Sequence, residues 1–153
     1  MGLFDFLKKK ESENSYSSPS ASKAEVMAKC WAAVQAYQSR NFANAAKYFS
    51  EYFEMKGYGR FLDLDRDDYR MYMNLMLSQF YSNNYNGCLK TCEKTIKLEP
   101  NMGDSYAFKA MCLYKLGNES EANINWNKAK TKGCQLTEHF ETVQDVKMQG
   151  FND

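Results

Sequence analysis

YRMYMNLMLSQFYSNNYNGCLKTCEKTIKLEPNM (residues 69–102) and GDSYAFKAMCLYKLGNESEANINWNKAKTKGCQL (residues 103–136) are one 34-residue unit written twice in direct succession. Aligned without a gap, Tyr72 falls on Tyr106, Met76 on Ala110, Cys88 on Ala122, Cys92 on Trp126 and Thr95 on Ala129. The first copy closes on Leu98-Glu99-Pro100-Asn101 and the second turns at Gly117-Asn118. Self-similarity at such a period marks a stack of identical supersecondary units, none of which can bury its apolar face alone.

An aromatic early in the unit, a turn in the middle, small residues after it and a late proline resemble the tetratricopeptide repeat. That resemblance implies an all-α fold in which antiparallel helix pairs stack as a short right-handed solenoid of about seven helices. It implies close helix contact at Ala110, Ala122 and Ala129 in the last unit, and at Met76, Cys88 and Thr95 in the preceding one. An earlier unit begins near Val26 and contains Asn41-Phe42-Ala43-Asn44-Ala45-Ala46, with Phe42 on Tyr85, Ala45 on Cys88 and Phe49 on Cys92. It lies 43 residues upstream of the next, and the nine extra residues fall around Tyr58–Asp68. The expected units are therefore 26–57, 69–102 and 103–136.

Caps and breakers divide the chain further. Ser12–Ser22 is serine-rich with Pro19 and reads as a disordered linker, so residues 1–21 form a tail and 22–149 the folded body. Ser22 followed by Glu25 is a capping box that opens a first helix running to about Ser39. A second helix spans Phe42–Lys56 and stops at Gly57. Asp65, Asp67 and Asp68 favour the start of a third helix, which reaches about Ser82. Further helices follow over Tyr85–Leu98, Met102–Leu116 and from Asn118 to about Lys132. A last helix over 137–149, with Phe140, Val143 and Lys147 on one stripe, would cap the stack.

With 153 residues and 44% apolar content, the chain can bury one continuous core. A net charge of +1 provides no field to attract nucleic acid. No run of about 18 apolar residues suggests a membrane span, and Asp5 and Lys8–Lys10 interrupt any secretory signal. Five cysteines, an odd number, suit reduced thiols and hence the cytoplasm. Cys88 and Cys92 sit one helical turn apart, but His139, the only histidine, is in another segment, so a four-ligand metal site is not expected.

Catalytic signals are thin. The chain has no glycine-rich phosphate loop and no nucleophile–base motif, so no enzyme and no cofactor is expected. Asp63-Leu64-Asp65-Arg66-Asp67 imitates the opening of a calcium loop, yet Asp68 and Asn74 occupy the positions that need glycine and glutamate. A solvated loop with helix-capping acids is the expected form. Asn118-Glu119-Ser120 reads as a helix cap rather than a glycan acceptor.

The expected function is that of a protein-interaction adaptor, with a peptide or helix of a partner in the concave groove lined by the first helix of each unit. The repeat register assigns Trp31, Tyr37, Met73, Asn74, Leu77, Tyr81, Phe108, Met111 and Lys115 to that groove. A relative class within the same family grips acidic chaperone tails through five cationic or amide positions. Here those positions hold Cys30, Val34, Asn74, Asp104 and Phe108, and only Asn74 matches, so that specificity is not expected.

Two alternatives remain open at this stage: self-association into a dimer through exposed aromatics, and attachment to a membrane surface. The second rests on Met1-Gly2-Leu3-Phe4-Asp5-Phe6-Leu7-Lys8-Lys9-Lys10, which could equally be a docking peptide or an inert tail. It resembles, loosely, the start of many bacterial cytosolic proteins. Phe6 stands where myristoylation requires serine or threonine.

Overall fold

A computed structural model describes residues 21–56 and 66–146. Among these residues six helices carry the fold: α1 (Lys23–Gln38), α2 (Phe42–Lys56), α3 (Arg66–Tyr81), α4 (Tyr85–Leu98), α5 (Gly103–Lys115) and α6 (Glu119–Thr131). A single turn, α7 (Leu136–His139), and a 3-10 turn at Val143–Asp145 follow. No strand occurs among the described residues. Each helix from α1 to α6 packs on its neighbour in sequence, and α3 also touches α5 directly. The molecule is thus all-α, built from sequential antiparallel helices.

The helix starts are chemically explicit. At α1, Ser22 N–H donates to Glu25 Oε2 at 2.7 Å while Glu25 N–H donates back to Ser22 Oγ at 3.3 Å, a complete capping box. Asn41, Asn84 and Asn118 open α2, α4 and α6. Their Oδ1 atoms accept from the backbone N–H of Asn44, Gly87 and Glu121 at 3.3, 3.0 and 3.3 Å. Each satisfies a donor that the first helical turn leaves without an intrahelical partner.

The residue before each of these asparagines is left-handed: Arg40 at φ 59°, Asn83 at φ 60° and Gly117 at φ 83°. The asparagine N–H then reaches back five residues, Asn41 to Ala36 O at 2.9 Å, Asn84 to Gln79 O at 2.8 Å and Asn118 to Leu113 O at 2.9 Å. This is the Schellman closure of a helix C-terminus. The same hairpin turn therefore occurs three times, although glycine supplies the left-handed residue in only one of them. Arginine and asparagine bear the steric cost of that conformation in the other two.

The helices meet at the expected small residues. Ala110, Ala122, Ala129, Met76, Cys88 and Thr95 are all buried. Ala33 and Ala45 fill the corresponding slots of the first hairpin, also without exposure. At all of these positions except Met76, small side chains let backbones approach closely enough for neighbouring large ones to interlock. Thr95 Oγ1 and Ser105 Oγ, 2.8 Å apart, satisfy each other across the α4–α5 contact.

Among the described residues, two clusters make up the core. One holds Ala33, Phe49, Tyr52, Phe53, Tyr72 and Leu75 from α1, α2 and α3; the other holds Met76, Phe80, Cys88, Cys92, Met111, Ala122 and Trp126 from α3 onward. Helix α3 contributes to both, so it joins them. The first and second hairpins are further tied by rings: Phe42 stacks on Tyr81 with centroids 4.8 Å apart, and Phe53 stacks on Tyr72 at 3.9 Å. The nine extra residues between α2 and α3 thus leave those helices in direct contact.

Asp68 corrects one expectation. It is only 2% exposed, its carboxylate pairs with Lys56, and Tyr52 OH donates to it at 3.2 Å. Rather than a solvated capping acid, it is a buried ionic tie between α2 and α3. Burial of a carboxylate is tolerable only with such partners. Residues 1–20 of the expected tail, the loop acids Asp63 and Asp65 and the Gly57 stop signal lie outside the described residues.

The expected C-terminal helix over 137–149 is a second correction. Helical geometry ends at His139; Phe140 is extended at φ −131°, ψ 124°. Thr142 N–H and Oγ1 both donate to Asp145 Oδ2, at 2.9 and 2.7 Å, starting a separate short turn. That break swings Val143 and Val146 into the core with no exposure at all. Trp126 Nε1–H donates to Glu141 O at 3.2 Å and Lys130 pairs with Glu141 at 2.8 Å, pinning the segment over α6. The cap is therefore a folded strap over residues 140–146; the stretch from Lys147 on lies outside the described residues.

Candidate functional site

The first helices of the second and third hairpins, α3 and α5, lie side by side, and an open cleft of about 400 Å³ runs between their N-terminal ends. Tyr69, Arg70 and Met73 of α3 form one wall, Asp104 of α5 the other, and Glu99, Asn101 and Met102 of the α4–α5 turn close the end. Methionine side chains supply a polarisable, adaptable apolar surface. Arg70, Glu99 and Asp104 surround it with charges of both signs. Such a cleft suits a chain with an apolar side group and a backbone to be oriented by polar contacts.

The N-terminus of α5 is held in place by its close approach to the end of α6. A Cβ added at Gly103 would stand 3.1 Å from Cys134 Cβ and 3.3 Å from Ala129 O, so a side chain there would need these neighbours to give by a few tenths of an ångström. Cys134 Sγ donates to Asp104 Oδ1 at 3.2 Å. Burial first, and then the charge of Asp104, push the Cys134 thiol up to about 11. It remains a neutral donor, which fixes the Asp104 side chain at the cleft wall.

The nine residues expected to line a groove fall into different environments. Met73, Leu77, Tyr81, Phe108 and Met111 converge on one cluster, joining the α3 and α5 stripes. Phe108 is only 4% exposed and Met111 is fully buried, so both serve mainly as core. Leu77 and Tyr81 are half-buried, and Tyr81 spends one ring face on Phe42. Tyr37 packs with the other cluster, edge-on to Phe42 and Phe49 at 5.9 and 6.5 Å. Asn74 and Lys115 are half-buried. Trp31 stands apart, 67% exposed on α1.

Of these nine, Met73 alone lines the α3–α5 cleft. The repeat register put Arg70 and Asp104 on the concave face as well, though not among these nine, while Glu99 and Asn101 were read as the close of a unit and Met102 as the start of the next helix. The signal available for the last three was their place directly between two helices, where the turn residues must border any crease between units.

None of the five cysteines is in a disulfide. Cys88 and Cys92 lie with sulfurs 4.0 Å apart, and Cys92 Sγ is 3.5 Å from Met76 Sδ, in a fully buried sulfur-rich pocket. Burial, reinforced by the neighbouring Cys88, pushes the Cys92 thiol well up. No group of three or more histidine, cysteine or acidic residues arranged to hold a metal occurs among the described residues. Brief alkylation of the native protein with iodoacetamide near about pH 8 should label half-buried Cys30 first, since thiolate access controls the rate. Peptide mass spectrometry checks this; equally fast labelling of Cys88 or Cys92 would show that α4 opens readily.

No described helix is long and apolar enough to cross a membrane. No protein-family model matches the chain, and a search of curated protein sequences finds no match.

Proposed function

We propose that this protein is a small cytoplasmic adaptor of the tetratricopeptide type, which binds a peptide or helix of a protein partner against α3 and α5, with no catalytic role. The observation that carries this reading is the α3–α5 cleft, which combines Met73 and Met102 with Arg70, Glu99 and Asp104. Three identical Schellman-plus-asparagine turns support the repeat interpretation. Side-by-side first helices are the surface that stacked helix pairs offer to ligands.

The cleft also sets which variants test the idea. Alanine at Phe108 or Met111 would open the core and confuse folding with binding. Met73→Ala and Glu99→Lys change the cleft itself. Peptides selected from a random library on the native protein should bind each variant about tenfold more weakly or worse, matching the roughly 1–2 kcal/mol typical of a contact residue. Calorimetric titration measures this, with circular dichroism to confirm an unchanged fold. Selected peptides that bind both variants with parental affinity would locate recognition elsewhere.

A further inference from the structure

Helix α1 turns an uncharged stripe to solvent. Ala24, Met27, Ala28, Trp31, Gln35 and Gln38 share one face, are all exposed, and carry no charge. Met27 and Trp31 keep 59% and 67% of their surface in water, although its opposite face is packed through Cys30, Ala33 and Tyr37. In a stack of helix pairs the outward face of a terminal unit is ordinarily polar, because no neighbour covers it. A tryptophan and a methionine one turn apart on such a face form a surface suited to a cover.

We propose that the cover is this chain's own segment Leu3-Phe4-Asp5-Phe6-Leu7, folded back on the Met27–Trp31 stripe. Leu3, Phe4, Phe6 and Leu7 provide the apolar and aromatic groups that the stripe would bury, and Phe against Met or Trp is a favourable pairing. The tether fits. Lys8–Ala21 supplies fourteen residues, and a chain of that length can reach up to about 50 Å. The chain enters α1 at Ser22, where the capping box holds it, and Trp31 lies about 14 Å further along the helix axis. A tether of this length gives an effective concentration of the order of millimolar. A contact too weak to hold two separate molecules together therefore suffices within one. An uncharged stripe also does nothing to repel Lys8–Lys10.

Trp31 reports the contact directly, because the other tryptophan, Trp126, is buried. Acrylamide quenching is measured on the full chain and on Phe4→Ser/Phe6→Ser, with Trp31→Phe giving the Trp126 background. Circular dichroism checks that the fold is kept. The expected result is a Stern–Volmer constant for Trp31 about twofold or more higher in the double variant, independent of protein concentration from about 1 to about 100 µM. Equal quenching in the two proteins overturns the proposal. Protection that grows with concentration, with a matching rise in mass by light scattering, overturns it in favour of a second copy on the stripe. Protection that appears only with phosphatidylglycerol vesicles overturns it in favour of a membrane surface.

Discussion

Replacing Trp126 with alanine should lower the unfolding free energy by about 3–5 kcal/mol, the cost of emptying a large aromatic site in a packed core. Trp126 is 1% exposed and lies in the cluster that joins α4, α5 and α6 to the strap. Its indole N–H also holds Glu141 O at 3.2 Å, so the variant loses a packing centre and the main polar anchor of residues 140–146 together. Domains of this size are stable by only about 5–15 kcal/mol, so the variant should be left close to the folding threshold. Urea titration followed by circular dichroism measures the change. Limited digestion by a glutamate-specific protease should also become faster after exposed Glu141. A loss below about 1 kcal/mol would mean that the strap and α5 can close over the space.

Phe49→Ala should have a comparable effect, about 3–5 kcal/mol, for the same reason at the other end of the molecule. Phe49 is fully buried in the cluster of α1, α2 and α3, where Tyr37 meets it edge-on at 6.5 Å. Phe49, Cys92 and Trp126 occupy one repeat slot, in α2, α4 and α6. Cys92→Ala removes about the equivalent of one methylene and should cost about 1 kcal/mol. The expected order, with Trp126 and Phe49 far above Cys92, follows from removed volume at equivalent positions. Denaturant midpoints for the three variants, with slopes shown to be unchanged, provide the comparison. A Cys92→Ala penalty as large as that of Phe49→Ala would show that the sulfur contacts with Cys88 and Met76 dominate this slot instead.

Much of the architecture was readable from local chemistry. Ser22 with Glu25 and Asn118 with Glu121 announced helix starts, because a side-chain oxygen must meet the free N–H groups of a first turn. The small residues at Ala110, Ala122 and Ala129 marked close helix contact. The turns at Arg40 and Asn83 were less visible, since neither is glycine; only their alignment with Gly117 reveals them. The strap was missed although Thr142 and Asp145 form a helix-start signal of their own. The stripe of Phe140, Val143 and Lys147 suggested an uninterrupted helix and outweighed it.

For the site, periodicity identified the stripes on α3 and α5 but not how deeply each residue on them would be covered. A helix repeats every 3.6 residues, so Met73 and Leu77 share a side of α3, and Phe108 and Met111 a side of α5, in any packing arrangement. Whether the edge of that side becomes core or cleft depends on where the next helix crosses. Here Phe108 and Met111 fell under neighbouring helices while Met73 was left at the crease.

By itself, the sequence determined that this is an all-helical chain of paired helices, with its hairpin turns and most helix starts in place, because those features depend on interactions within a few residues. Only the tertiary structure decided that Asp68 is buried beside Lys56 and Tyr52, that residues 140–146 cross Trp126 as a strap, and that Trp31 stays out of the helix-to-helix packing. Each of those outcomes depends on which distant side chain occupies the adjoining space, and burial is a property of that pairing rather than of either residue alone.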